Sequence, residues 1–151
     1  MGDKPPATAV PTRDLYPAFR RITTRWMDND AYRHVNNVVY YSFFDTAVNQ
    51  MLIEAGVLDI AASPAIGLVV ETGCRYFAPV AFPDTIDAGV RVAQLGRSSV
   101  TYEVGLFRND ETNAAAAAGH FVHVYVDRET NRPTPIPAAT RAFLEGLMRV
   151  E

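Results

Sequence analysis

The sequence predicts an α+β domain in which one curled antiparallel β-sheet wraps around a single long central α-helix. Three observations predict it. One run of apolar residues recurs at helical spacing early in the chain, from Val38 to Ala55. Four β-forming segments then follow one another, separated by turn residues and without an intervening helical pattern. A further strand-like segment precedes the helix. Short links between successive strands require antiparallel pairing, and one sheet curled over one apolar helix buries the most surface with the fewest elements.

In chain order, residues 1–17 carry Pro5, Pro6, Pro11 and Pro17 among small and polar neighbours, and read as a flexible N-terminal tail. Residues 18–151 read as one domain, a length sufficient for a substantial core. Phe19 to Trp26 is rich in β-formers and predicts the first strand. A polar turn from Asp28 to Asn36 follows. The helix then carries Val38, Val39, Tyr41, Phe44, Val48, Met51, Leu52 and Ala55, with few charges (Asp45 and Glu54) and Gly56 as its stop. Apolar and aromatic residues occupy much of its circumference, which predicts cover on most of its sides.

Leu68 to Phe77 predicts the second strand, bounded by Pro79 and Pro83. Thr85 to Ala93 predicts the third, turning at Gly96, and Ser99 to Phe107 the fourth. Phe121 to Val126 is the strongest β signal in the chain. The alanines 114–118 ahead of it favour helix by propensity alone. Gly119 and the β-branched run downstream extend more simply backward as one long strand. After Pro133, Pro135 and Pro137, residues 138–150 predict a short amphipathic helix.

Composition narrows the function classes. The chain has 151 residues, nearly half of them apolar, and a net charge of −3, which does not suit a broad nucleic-acid surface. Lys4 is the only lysine, so every other basic side chain is an arginine or a histidine. Cys74 is the only cysteine, so no internal disulfide can form. The N-terminus lacks the apolar core of a signal peptide, and no apolar run reaches membrane-spanning length. These features predict a cytoplasmic protein with no membrane or nucleic-acid partner.

The chemistry concentrates where the first strand gives way to the helix. Asp28 and Asp30 sit in the turn, and His34, Asn36 and Asn37 crowd the start of the helix. Asn and Asp cap helices by accepting otherwise unpaired backbone N–H groups. The free N–H groups and the macrodipole together attract negative charge. A carboxylate beside a helix N-terminus therefore suits acyl chemistry: one group delivers a nucleophile while the other holds an oxyanion.

Trp26-x-Asp28-x-Asp30-x-x-x-His34-Val-Asn-Asn37-x-x-Tyr40-x-x-Phe43-Phe44 resembles the corresponding motif of the hotdog-fold acyl-CoA thioesterases, above all the 4-hydroxybenzoyl-CoA thioesterase-like group. The resemblance runs from Arg20 to Pro137, and the Arg75-Tyr-Phe-Ala-Pro and Gly96-Arg-Ser-Ser segments share it. It implies the hotdog fold and hydrolysis of an acyl-CoA thioester to free acid and CoA. At the place of Asp30 the family carries its catalytic carboxylate, acting as nucleophile or as general base. At the place of Asn37 a backbone N–H polarises the thioester carbonyl. The resemblance further implies a homodimer or homotetramer with sites between subunits, and no cofactor beyond the CoA of the substrate. In place of the small residue many relatives carry, this chain has Tyr32, which bears on the shape of the acyl pocket.

Each residue also has a plainer reading. Asp30 could be a solvated turn acid, and the motif is what favours catalysis. Asp28, two residues earlier, would point to the opposite side of an extended segment and reads as structural. His34 is assigned to orienting the carboxylate or contacting substrate. Tyr32, Tyr40, Arg75, Arg97 and Ser98 are candidates for substrate binding, the last three toward the CoA phosphates or pantetheine. Glu71 is a reserve carboxylate. A metal site built from Asp30, His34, His120 and His123 matches no standard spacing, so no metal is expected. Two rivals stand beside hydrolysis: a hotdog hydratase using an Asp30–His34 dyad on enoyl thioesters, and a module that binds acyl-CoA or a protein without turnover.

Overall fold

The computed structural model describes residues 9–109 and 112–148. After a 3₁₀ turn at Arg13–Leu15, strand β1 (Ala18–Thr23) leads through a second 3₁₀ turn (Trp26–Asp28) into helix α1 (Val39–Glu54). Strands β2 (Ala65–Tyr76), β3 (Thr85–Leu95), β4 (Ser99–Arg108) and β5 (Ala117–Asp127) follow, and helix α2 (Ala138–Glu145) ends the described chain. All five strands form one antiparallel sheet in the order β1-β3-β4-β5-β2. The sheet is open, with β1 and β2 at its edges, and α1 lies against its inner face. This is the predicted fold class.

Two buried, two exposed is the rhythm that fixes α1. Tyr40, Phe43, Phe44, Ala47, Val48, Met51 and Leu52 are buried, whereas Ser42, Asp45, Thr46, Gln50, Ile53 and Glu54 are exposed. The helix is therefore covered along one stripe within the chain, not on most sides as its composition suggests. Polar residues recurring three and four apart gather on the outer face, where they keep their water. Against the stripe pack Ile86, Ala88, Val90 and Val92 of β3, Val100, Tyr102, Val104 and Leu106 of β4, and Phe121 of β5. Alternate residues of each strand supply this core, as the pleat requires. Gly119 of β5 sits beneath the Phe44 ring and beside the Gly73 carbonyl, so any β-carbon there would collide with both. Gly56, with φ of +75°, ends the helical segment in the left-handed region that favours glycine.

The alanines ahead of β5 do not form a helix. Ala115 and Ala116 are buried, and the Ala116 carbonyl accepts the N–H groups of Phe77 and Ala78, so the extended path predicted from the downstream β-branched run is the one observed. The first strand is shorter than predicted, and Trp26 lies beyond it, 80% exposed. Residues 9–17 also depart from the expectation of a flexible tail. Thr12 bridges to Ala114, Arg13 pairs with Asp87 at 2.8 Å, and Tyr16 is buried. The prolines prevent a regular element there, but the Tyr16 ring gains contact by lying over Gly105, where a β-carbon would come within 2.6 Å of it. The rest of the predicted tail, residues 1–8, lies outside the described residues, as does the end of the predicted terminal helix beyond residue 148. No helix among the described residues is long and apolar enough to cross a membrane.

Candidate active site

The loop between β1 and α1 is built from its own polar side chains. Asp28 is 2% exposed and accepts the Arg25 N–H at 2.7 Å and the Arg25 guanidinium at 2.9 and 3.1 Å. Its carbonyl accepts the Asn36 N–H at 2.9 Å. Asp28 is thus fully engaged in closing the loop, the structural part its position suggests. Asn29 accepts the Phe82 N–H at 3.0 Å and forms an isolated bridge with Val35, which in turn donates to the Val80 carbonyl at 2.7 Å. The loop is therefore tied to the segment leading into β3.

Within that frame Asp30 heads a tight turn. Its N–H donates to the His34 carbonyl, its carbonyl accepts the Arg33 N–H, and its Oδ1 accepts the Tyr32 N–H at 2.8 Å. Arg33 adopts φ of +66° to complete the turn. The other carboxylate oxygen has no partner among the described residues. Asp30 lines a hollow of about 470 Å³ together with Trp26, Asn29, Arg33 and Phe82, with the Trp26 and Phe82 rings edge to face at 6.1 Å.

At the start of α1, the Asn36 side chain accepts the Val38 N–H at 3.0 Å, a capping bond one turn ahead of the regular helix. Asn37 is exposed, and its N–H donates to no acceptor among the described residues. Its carbonyl accepts the Tyr76 hydroxyl of β2 at 3.0 Å. An N–H at a helix N-terminus with no acceptor of its own is the feature that oxyanion stabilisation needs.

The other candidates fall in different places. His34 is exposed and joined to Asp30 through main chain alone. Tyr32 is 83% exposed beside the turn. Tyr40, a candidate for substrate contact, is buried in the core and packs edge-on against Tyr76 at 4.9 Å. It is the second residue of α1, within the first turn and among the buried residues of the helix. Arg75 is exposed on β2, at the rim of a separate cavity of about 520 Å³ whose other walls include Tyr16, Phe77, Arg91, Glu103 and His120. Arg97 and Ser98 form the β3–β4 turn, where their carbonyls accept the Ile136 and Tyr125 N–H groups. That turn is at the opposite end of β3 from Phe82, and 11 residues of strand span about 35 Å. Within one chain, Arg97 and Ser98 do not meet Asp30.

Glu71 pairs with His120 at 2.9 Å across β2 and β5. His123 instead faces the core, 3% exposed, and burial lowers its pKa to about 4, so it is neutral. Among the described residues no group of three His, Cys, Asp or Glu side chains could hold a metal. Burial raises the Cys74 thiol to about 11, which leaves it protonated and unreactive. Arg33 and Phe82 were not singled out by the sequence, and Trp26 and Tyr76 stood there only as members of the resembling segments, with no role assigned. Trp26 is exposed and Phe82 half-buried beside it, a pairing across 56 residues that no local pattern records. Tyr76 reads as a strand residue until its hydroxyl is traced to Asn37.

The model of the thioesterase-like superfamily matches residues 24–144. Among solved structures, the chain is similar to the PA5185 protein of Pseudomonas aeruginosa strain PAO1, at 56% identity over 93% of this chain and 97% of that one, with a TM-score of 0.90. It is also similar to PA2801 of Pseudomonas aeruginosa, a protein proposed to be a thioesterase, at 29% identity over 86% and 98% of the two chains, with a TM-score of 0.78. The gentisyl-coenzyme A thioesterase BH1999 shares the fold, with a TM-score of 0.74 at 22% identity over 84% and 99%. A comparison with curated protein sequences finds no match.

Proposed function

The chain belongs to the thioesterase-like superfamily, and from that premise we propose that it hydrolyses acyl-CoA thioesters to a free carboxylic acid and CoA. One observation carries the reading: the Asp30 loop leaves a carboxylate oxygen unpartnered beside a hollow, while the start of α1 leaves the Asn37 N–H unpartnered at the surface. The first supplies a base or nucleophile, and the second a donor for the charge that develops on the carbonyl oxygen.

In this reaction the thioester carbonyl carbon is attacked either by water that gives its proton to Asp30 or by the Asp30 carboxylate itself. The resulting oxyanion accepts the Asn37 N–H. Collapse breaks the C–S bond, and CoA departs as the thiol once it has taken up a proton. On the nucleophilic path water then hydrolyses the mixed anhydride formed with Asp30. Both paths balance with water as the only co-reactant, so no redox cofactor or metal is invoked. Trp26, Phe82 and Tyr32 offer apolar contact for the acyl chain, and Arg33 offers charge for a polar group of the substrate.

The active form is proposed to be a homodimer or a higher homo-oligomer. Strand β2 supports this. It is a 12-residue edge strand with Leu68, Val69 and Val70 exposed, the kind of edge that proteins otherwise shield with charge or cover. A second copy paired there would cover that edge and could bring distant groups such as Arg97 and Ser98 to a neighbouring site. Hydrolysis is favoured over hydration of enoyl thioesters because His34 makes no side-chain bond to Asp30 among the described residues. The test is thiol release from acyl-CoAs ranging from short aliphatic through long-chain to aromatic, with wild type beside Asp30→Asn. Release that the substitution abolishes supports the reading; no release from any of them, with tight acyl-CoA binding retained, would move it to a binding module.

A further inference from the structure

We propose that Tyr76 is a positioning residue for the reaction: from β2 it clamps the first turn of α1 at two points and so fixes where the Asn37 N–H is aimed. The inference rests on the thioesterase reading and extends it to a residue on a different element. The first point is polar. The Tyr76 hydroxyl donates to the Asn37 carbonyl at 3.0 Å. The second is apolar, with the Tyr76 ring meeting the buried Tyr40 ring at 4.9 Å and nearly perpendicular to it.

Asn37 lies ahead of the regular helix, so helical hydrogen bonding does not hold its own N–H. The Asn36 side chain restrains the Val38 N–H. The Tyr76 hydroxyl restrains the Asn37 carbonyl, so both bonds fix the peptide unit that joins Asn37 to Val38. The preceding unit, which carries the Asn37 N–H, hinges on it at the Asn37 α-carbon. That unit is held on its other edge by the Val39 N–H, which donates to the Asn36 carbonyl at 2.9 Å. Tyr76 itself stands on firm ground, because it pairs with Ala117 in the β2–β5 register and the next N–H, of Phe77, donates to the Ala116 carbonyl at 2.8 Å. Burial, followed by the neighbouring Cys74 and Tyr41, raises the pKa of the phenol, so it remains a donor throughout the physiological range. An oxyanion donor displaced by a fraction of an ångström still lets substrate bind but stabilises the transition state less well, so the loss should fall on turnover.

The test compares wild type with Tyr76→Phe in the full-length protein. It uses thiol release from whichever acyl-CoA wild type hydrolyses fastest, together with the melting temperature. The ring contact with Tyr40 survives this substitution, and only the hydroxyl is lost. The expected result is a fall in kcat of about tenfold with KM within about twofold, because the interaction is used in the transition state alone. The melting temperature should stay within about five degrees of wild type. An unchanged kcat overturns the role of Tyr76 while leaving the thioesterase reading intact. A kcat loss accompanied by a fall of more than about ten degrees overturns it as a local positioning effect. No thiol release by wild type overturns the thioesterase reading, and this role with it.

Discussion

Asp30 spends one carboxylate oxygen on the backbone of its own turn: Oδ1 accepts the Tyr32 N–H at 2.8 Å. The same side chain thus holds the loop and, in the proposed reaction, does the chemistry, and two substitutions separate the tasks. Asp30→Asn keeps an oxygen that can accept the Tyr32 N–H but loses the charge and the basicity. Asp30→Ala loses both. The Asn variant is expected to melt within about two degrees of wild type while kcat/KM for thiol release falls by about a hundredfold or more. The Ala variant should lose comparable activity and melt lower. Retained activity in both would move the chemistry to another carboxylate, with Glu71 the first to examine.

Asn37 is argued to act through its main chain, which makes its side chain expendable. Asn37→Ala should keep kcat within a few-fold of wild type. Asn37→Pro removes the N–H at a position where that group makes no internal bond, at the start of a helix where proline is tolerated. Loss of one preorganised oxyanion donor lowers kcat by about a hundredfold to a thousandfold. Steady-state kinetics of the two variants, with far-UV circular dichroism to verify the helix, decide the matter. If Ala proves as damaging as Pro, the side chain is the active group and the backbone assignment fails.

How much of this was legible in the sequence depends on what each feature rests on. The α1 pattern and the strand sequence from Ala65 to Asp127 follow from periodicities that a buried stripe and a pleated sheet impose directly. The alanine run before β5 shows tertiary pairing overriding local propensity, and the β-branched residues downstream announced it. The packing of Thr12 to Tyr16 was hidden, because its cause is a pair of distant small residues, Gly89 and Gly105, that make room for one aromatic ring. The candidate site divides in the same way. Asp30 and Asn37 belong to one contiguous motif and were visible together. Tyr76 reaches Asn37 from 39 residues away, and no local pattern records that bond.

Val70 lies on the exposed β2 edge, 60% exposed, where the pairing with β5 shifts register between Val69 and Glu71. If that edge joins two copies, a charge placed on it must be buried or the interface must open. Val70→Lys is expected to shift the protein from a dimer's mass toward a monomer's in size-exclusion chromatography with light scattering. It should lower thiol release in parallel, because the proposed sites lie between subunits. A variant that keeps the wild-type mass and activity would place the interface elsewhere.

Acid should weaken the fold in two separable stages, one for each of two buried groups. The ordinary pKa of histidine is 6.5, and that of buried His123 is about 4 in the folded chain. Between those values the unfolded chain takes up a proton that the folded chain refuses, so stability falls as pH drops from about 6.5 to about 4, by about 3 kcal/mol in all. Asp87 acts lower. Burial alone would raise its carboxyl, but hydrogen bonds from Arg21 and Arg13 outweigh that and hold it below the usual value of 3.8. Its contribution is therefore complete above that value and is lost as pH falls through the folded pKa. Losing it also frees Arg13, which ties the segment before β1 to the Thr112 and Asn109 carbonyls and lies over the Phe107 ring. Urea midpoints measured from pH 7 down to pH 3 should show both slopes in wild type. His123→Phe should flatten the upper one and leave the lower. Asp87→Asn should do the reverse, starting from a lower stability at pH 7. A His123→Phe profile with the wild-type slope between pH 6.5 and 4 would mean that some other group carries the upper stage.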